Sequence, residues 1–390
     1  MSYRKEFFPD LEYSVYLNHA AISPLNSRAV AALTTQAQRY AQSGLKAWTA
    51  GNDACISLRD KLARLISAEP KSIGLISNTS HGLCVVAQEF SWQPGDRLVL
   101  FRGEFPGNVV PWLAAAQRFQ LEVLWLDLDD LINRSEAFLA AMAQRPRLMA
   151  ISWVQFQTGR AVSLATLSQL RTEFGFQVCL DAIQGLGPLV LNLEETPMDY
   201  VVCGGHKWLL GPEGVGFMYV HPQRIGDLKP VFASWLSQED PVSFLFNGAG
   251  HIDYQKPMRL EPSRYEMGTL NAIGYAALDA SIGIFLEIGP QRVSELALAR
   301  AETCREGLRA MGIEPADGGS GAAIVSFPVA TDKLTHYVKE LDRKSISAAT
   351  PDGHLRAAPH FYVEVSEINF YLDTLAELRL GKNNGSNCFS

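Results

Sequence analysis

In VVCGGHKWLLGPEGVGF (residues 201–217), Lys207 follows an apolar run that ends in two glycines. An amine beside a buried strand end loses hydration, which disfavours its charged form and moves its pKa toward the neutral amine. A neutral lysine amine condenses with carbonyl groups to a Schiff base. Gly204 and Gly205 leave the backbone open to a ligand; the plainer alternative is a lysine whose stem snorkels to water. In QVCLDAIQGLG (177–187), an apolar run ends on Asp181. That places a carboxylate at the carboxyl edge of a parallel sheet, where such sheets bind ligands. Read alone, Asp181 is more simply a cap on the following turn. ISNTSHGLCVV (76–86) passes from a strand through Thr79 and Ser80 into a helix. Hydroxyls and free N–H groups at a helix start suit an anion, although either residue alone reads as an ordinary N-cap. Arg356, in HLRAAPHFY, carries a fixed fork suited to a carboxylate, or is a surface arginine on an edge strand.

These pieces suggest one ligand with a phosphate for Thr79 and Ser80, a carbonyl for Lys207 and a basic ring nitrogen for Asp181. Pyridoxal 5′-phosphate (PLP) has all three, and a carboxylate at its ring nitrogen keeps the ring an electron sink. Competing motifs are missing: there is no G-x-x-x-x-G-K-[ST], no spaced G-x-G-x-x-G after a strand, no H-E-x-x-H and no G-x-S-x-G. The eight histidines show no metal-ligand spacing.

The elements that must position these residues alternate between helical and strand-like patterns, which gives an α/β fold. Helical periodicity covers residues 26–68. Strands follow in KSIGLIS and DRLVLF, each leading to a helix, and four further runs (LEVLWLD, RLMAISWV, QVCLDAI, DYVVCGG) read as buried parallel strands. After about residue 265 two long helices lead into GAAIVSFPV, KLTHYVKELDRK, SISAAT, HLRAAPHFYV and a last helix, the pattern of a small α+β layer. The expected division is a large domain over 18–265, a small domain over 1–17 and 266–380, and a polar, frayed tail over 381–390.

The chain has 390 residues, 47% hydrophobic and 19% charged, enough for one or two packed domains. A net charge of −7 without any Lys/Arg-rich block argues against nucleic acid. No apolar run reaches the ~20 residues of a membrane span. MSYRKEFFPD has no signal-peptide core, and the six cysteines form no C-x-x-C pair, so the expectation is a cytoplasmic protein with reduced thiols.

From YLNHAAISP (16–24) to HLRAAPHFYVEVSEI (354–368) the chain resembles the class V aminotransferases. These are fold-type I PLP enzymes that include cysteine desulfurases, C–S lyases, kynureninase and isopenicillin-N-epimerase-like proteins. GGHKWLLGPEGVGF resembles the family's lysine segment, D-x-x-Q (181–184) its Asp/Gln pair, and NTSHG (78–82) and YEMGTLN (265–271) its phosphate-contacting segments. The resemblance implies a mostly parallel sheet in the large domain. It implies a Schiff base on Lys207, Asp181 at the pyridinium nitrogen, Gln184 near the phenolic oxygen, and phosphate contacts from His206, Thr79 and Ser80. It also implies Phe105 stacked on the ring, Arg356 on the carboxylate of an amino-acid substrate, and a homodimer in which Thr269 reaches the neighbouring subunit's phosphate. The sequence departs from the desulfurases in four places. Phe105 stands where they usually have His, Phe156 at about the place of an Asn, and Gly204 where many members have Ser. SAATPDGH (347–354) and APHFYVEV (358–365) lack the desulfurase cysteine. β-Elimination from a sulfur-substituted amino acid is therefore the first expectation, then transamination, then epimerisation; a PLP-binding regulator is the non-enzymatic alternative.

Overall fold

The structure is a computed structural model that describes residues 2–319 and 321–380. The expected tail, 381–390, lies outside the described residues. Its centre is a seven-stranded sheet built from β2 (Ile73–Ile76), β3 (Arg97–Phe101), β4 (Glu122–Leu126), β5 (Leu148–Ser152), β6 (Gln177–Asp181), β7 (Tyr200–Gly204) and β8 (Gly216–Val220). β1 (Val15–Tyr16) precedes them and lies outside this sheet. The spatial order is β2-β8-β7-β6-β5-β3-β4. β4, β3, β5, β6 and β7 pair in parallel, whereas β8 runs antiparallel to both β7 and β2. The sequence reading kept GPEGVGF within the lysine segment; in the structure Gly216–Val220 forms β8, the turn-back strand after Lys207. Every residue of β7 is buried, as a strand covered on both faces requires.

Helices α1 (Ser27–Ser43), α2 (Ala47–Leu65) and α3 (Thr79–Glu89) follow from capping and apolar spacing. Asn26 caps α1 by accepting from Ala29 N at 2.8 Å, and Asn78 caps α3 by accepting from His81 N at 2.9 Å. α3 buries Leu83, Val85 and Val86 against the sheet. Its approach needs Gly82: a Cβ there would stand 2.7 Å from Ile76 Cδ1 and from Val202 Cγ1. Helix α4 (Ala272–Ile288), assigned by the sequence reading to the small domain, packs against α1 and α2.

The remaining layer pairs β9 (Val325–Pro328) antiparallel with β11 (His354–Ala357), between helices Pro290–Ala310, Thr331–Arg343 and Val365–Leu380. β10 (Ile346–Ser347) pairs in parallel with β1, so the start of the chain joins the layer made by its end. Asn18 continues that contact through a bridge to Ala358. Among the described residues no single helix is long and apolar enough to cross a membrane.

Candidate active site

The carboxyl ends of β2, β5, β6 and β7 open onto one cavity of about 530 Å³. Thr79, Ser80, Phe105, Asp181, Gln184, His206, Lys207 and Arg356, all singled out from the sequence, line it. Thr269 does not; it lines a separate cavity of about 390 Å³ beside Trp48, Arg59, Trp235 and Glu266.

Each side chain is delivered by the end of an element. Asp181 is the last residue of β6, in register with Ser152 of β5. Burial pushes its carboxyl up to about 6, against the opposing effects of the Ile183 N–H at 3.0 Å and the Lys207 charge. Lys207 follows β7; desolvation lowers its pKa to about 8, the Asp181 charge opposes that shift, and the Arg356 charge adds to it. Its Nζ lies 5.7 Å from the centre of the Phe105 ring, which is 50% exposed into the open site. About half of the amine is therefore neutral near pH 8, and the neutral fraction is the one that acts as nucleophile or base.

At the other end, α3 presents its first turn. Asn78 takes the His81 N–H, while the N–H groups of Thr79 and Ser80 have no partner within the helix. Thr79 Oγ1 accepts from Gly204 N at 2.9 Å, which leaves its own hydrogen to donate. A Cβ on Gly204 would lie 3.1 Å from Thr79 Oγ1 and 3.2 Å from His206 Nδ1, so glycine keeps these two phosphate candidates together. Burial and the adjacent Lys207 lower the His206 pKa and favour the neutral imidazole. Gln184 is braced: its Oε1 accepts from Trp208 Nε1 and its Nε2 donates to Ala20 O, both at 2.9 Å, so one amide hydrogen remains for a ligand.

Arg356 is buried, at 4% exposure, on β11. Its Nη1 donates to Phe156 O at 2.5 Å, while its Nε is buried without a hydrogen-bond partner. Neither Arg356, Lys207 nor Asp181 has an ion-pair partner among the described residues. A guanidinium with an unpartnered Nε, an amine of lowered pKa, a buried carboxylate and a free helix start fit PLP with an amino acid beside it.

Glu104 was missed by the sequence reading. Its Oε1 accepts from Ser152 N at 2.8 Å, its Oε2 accepts from Ser152 Oγ, and Asn108 Nδ2 donates to it at 3.4 Å. Desolvation carries its pKa up to about 7, assisted by the nearby Asp181 charge. The available signal is weaker than that of Asp181: Glu104 lies three residues beyond the end of a parallel strand, not on its last residue.

The fold and this site define a PLP-dependent enzyme. The pattern of "Aminotransferase class-V" matches residues 15–368, and the chain belongs to that family. It is 30% identical to an isopenicillin N epimerase of Amycolatopsis lactamdurans, over 82% of this chain and 84% of that one. It is 25% identical to a probable cysteine desulfurase of Methanothermobacter thermautotrophicus, over 95% of this chain and 96% of that one. Among solved structures, a lysine-to-alanine variant of C-DES, with glycine covalently linked to its PLP cofactor, superposes with a TM-score of 0.84 at 25% identity, covering 96% of this chain and 99% of that one. The cystine C–S lyase C-DES in complex with its reaction product, cysteine persulfide, gives a TM-score of 0.83 at 25% identity, covering 95% and 99%.

Proposed function

We propose that this enzyme carries out β-elimination on a sulfur-substituted amino acid, without a cysteine nucleophile of its own. The observation that carries this reading is the make-up of the Lys207–Arg356 cavity, which no cysteine lines among the described residues. Cys203, close enough to feel the Lys207 charge, is buried, and its thiol is pushed well above the usual range by desolvation.

When bound, the cofactor supplies an electron sink that acidifies the Cα–H of an amino acid. Arg356 takes the α-carboxylate with Nε and the free edge of its fork, since Nη1 is held by Phe156 O. Lys207 removes the proton from Cα and delivers it where the outcome requires. With the cofactor bound, Asp181 would pair with its ring nitrogen, and the first turn of α3, with Thr79, Ser80 and His206, would hold its phosphate. Phe105 would stack on its ring. The net reaction consumes one water and yields a thiol, pyruvate and ammonia.

Product analysis on cysteine, cystine and S-substituted cysteines tests this. Pyruvate with ammonia supports elimination; a keto acid with an intact carbon skeleton replaces it with transamination. Epimerisation is the second reading, favoured by the 30% identity to an isopenicillin N epimerase, and it would appear as inversion at Cα without ammonia.

We further propose a homodimer with composite sites. Thr269 does not line its own chain's cavity, and exposed apolar side chains, including Leu45, Phe246, Tyr254, Leu260 and Met267, lie in the segments that flank the Thr269 cavity. Mixing Lys207→Ala with Thr269→Ala protomers should restore activity, because one site of each hybrid keeps both residues. No restoration from a mixed dimer would refute the shared site.

A further inference from the structure

Lys207, Asp181, Arg356 and the phosphate-side residues have roles in the proposed reaction, and Phe105 has one over the cofactor ring. The apolar lining also includes Ile22, Val154, Phe156 and Pro351, which have none beyond the Phe156 carbonyl. Phe156 stands edge-on to Phe105, with ring centroids 5.3 Å apart and planes at 77°. The charged and titratable residues that line the cavity are Asp181, His206, Lys207 and Arg356, all with roles in that reading. Asp352, next to Pro351, is exposed, accepts from Gln157 Nε2 at 3.2 Å and does not line the cavity.

Phe156 is fixed in place. It sits in a loop closed by the Val154–Ala161 bridge and by hydrogen bonds from Gln155 N to Arg160 O at 2.8 Å and from Gly159 N to Gln155 O at 3.0 Å. Gly159 adopts φ +81°, and a Cβ there would lie 2.3 Å from Ile324 O, so the loop is pressed against the segment leading into β9. The Phe156 carbonyl orients the Arg356 fork while its ring forms the adjacent wall. One residue therefore positions the carboxylate anchor and bounds the space beside it.

We infer that Phe156, together with Phe105, forms the substrate side-chain subsite, and that this subsite takes an amino acid with an uncharged, apolar or aromatic side chain in preference to an anionic one. The inference rests on the reading that Arg356 holds the α-carboxylate. For a sulfur-substituted substrate, it assigns an alkyl or aryl group to the sulfur. An anionic side chain would lose water against the two rings, and the lysine and arginine that line the cavity among the described residues, Lys207 and Arg356, are already engaged.

The test is spectroscopic titration of the holoenzyme with L-phenylalanine, S-benzyl-L-cysteine, L-cysteate and O-phospho-L-serine. Burial of a phenyl group predicts ~10–100-fold tighter binding of the first two than of the last two. Phe156→Asn should cut that preference by about 10-fold, whereas Phe156→Leu, which keeps an apolar wall, should retain it. Equal or tighter binding of the anionic ligands, or a preference kept in both variants or lost in both, overturns the inference. L-Phenylalanine has no leaving group at Cβ, so its binding reads the subsite independently of elimination. Tight aromatic binding without pyruvate from S-benzyl-L-cysteine refutes the elimination reading alone. Pyruvate release with no side-chain preference refutes the subsite alone.

Discussion

Asp199 and Asp181 lie at opposite edges of one sheet and are treated in opposite ways. Asp199, just before β7, is fully buried and answered: Arg171 Nε and Nη2 donate to it at 2.5 and 2.8 Å, Arg224 Nε at 2.8 Å and Val178 N at 2.9 Å. Asp181, at the far end of β6, is nearly as buried and receives a single backbone N–H at 3.0 Å. The arginines divide in the same way. Arg305 is buried against Asp317 at 2.5 Å, whereas Arg356 has a carbonyl partner and an orphaned Nε. Asp199 and Arg305 are paired, because an unpaired buried charge costs several kcal/mol. The buried charges at the carboxyl edge are left short of partners that a ligand brings, and perturbed titration marks the place.

Five substitutions and one pH series would break or sharpen this contrast. Lys207→Ala should lower turnover by about 10²–10⁴-fold and alter, without eliminating, the visible-band response to amino acids, as read by absorption and steady-state kinetics. At the paired edge, Asp199→Asn should leave that response in place and destabilise the fold by about 3–5 kcal/mol in urea unfolding, toward the low end because Arg224 reaches water. Arg356→Gln should weaken carboxylate ligands by about 10–100-fold without comparable loss of stability, as one charge-assisted contact predicts. Asp181→Asn should do what no paired-edge change does, and stabilise the cofactor-free protein. Its carboxyl titrates near 6 when folded and near 3.8 when unfolded, so ionisation opposes folding fully above pH 6 and not at all below about 3.8. The variant should therefore gain about 1–3 kcal/mol at pH 8, fading to nothing by about pH 4, in thermal melts across that range. The smallest effect belongs to Glu104→Gln: Glu104, pushed up to about 7, is still largely protonated where Asp181 titrates near 6. The variant should therefore leave the Asp181 midpoint within about half a pH unit, as read by the same melts.

Much of the site was legible because the chemistry sits at strand ends, where an apolar run stops on a polar residue. Asp181, Lys207 and the Thr79–Ser80 pair each carry that local signature. Arg356 was readable only as a possibility, since the pattern of an edge strand does not say whether its fork meets water or a cavity. Glu104 was missed because its partner, Ser152, comes from a different strand, and neither residue is conspicuous alone. The bracing of Gln184 by Trp208 and Ala20 joins three distant stretches and has no local sign. β8 was hidden because its five residues follow a glycine-rich turn that already had a functional explanation. The two-residue β1–β10 pairing is too short for any periodicity to register.

That pairing has a consequence for how the protein is made. Ala20, Ala21 and Ile22 form the front rim of the cavity and hang between the Asn18–Ala358 bridge and the hydrogen bond from Ser23 N to His206 O at 2.9 Å. The first of these anchors joins residues 340 positions apart, from 358 − 18. During synthesis the rim emerges first; its bonds to Gln184 and His206 can form midway, whereas the Asn18 anchor waits for Ala358, near the end of the described chain. A chain that stops before residue 358 would lack that one anchor.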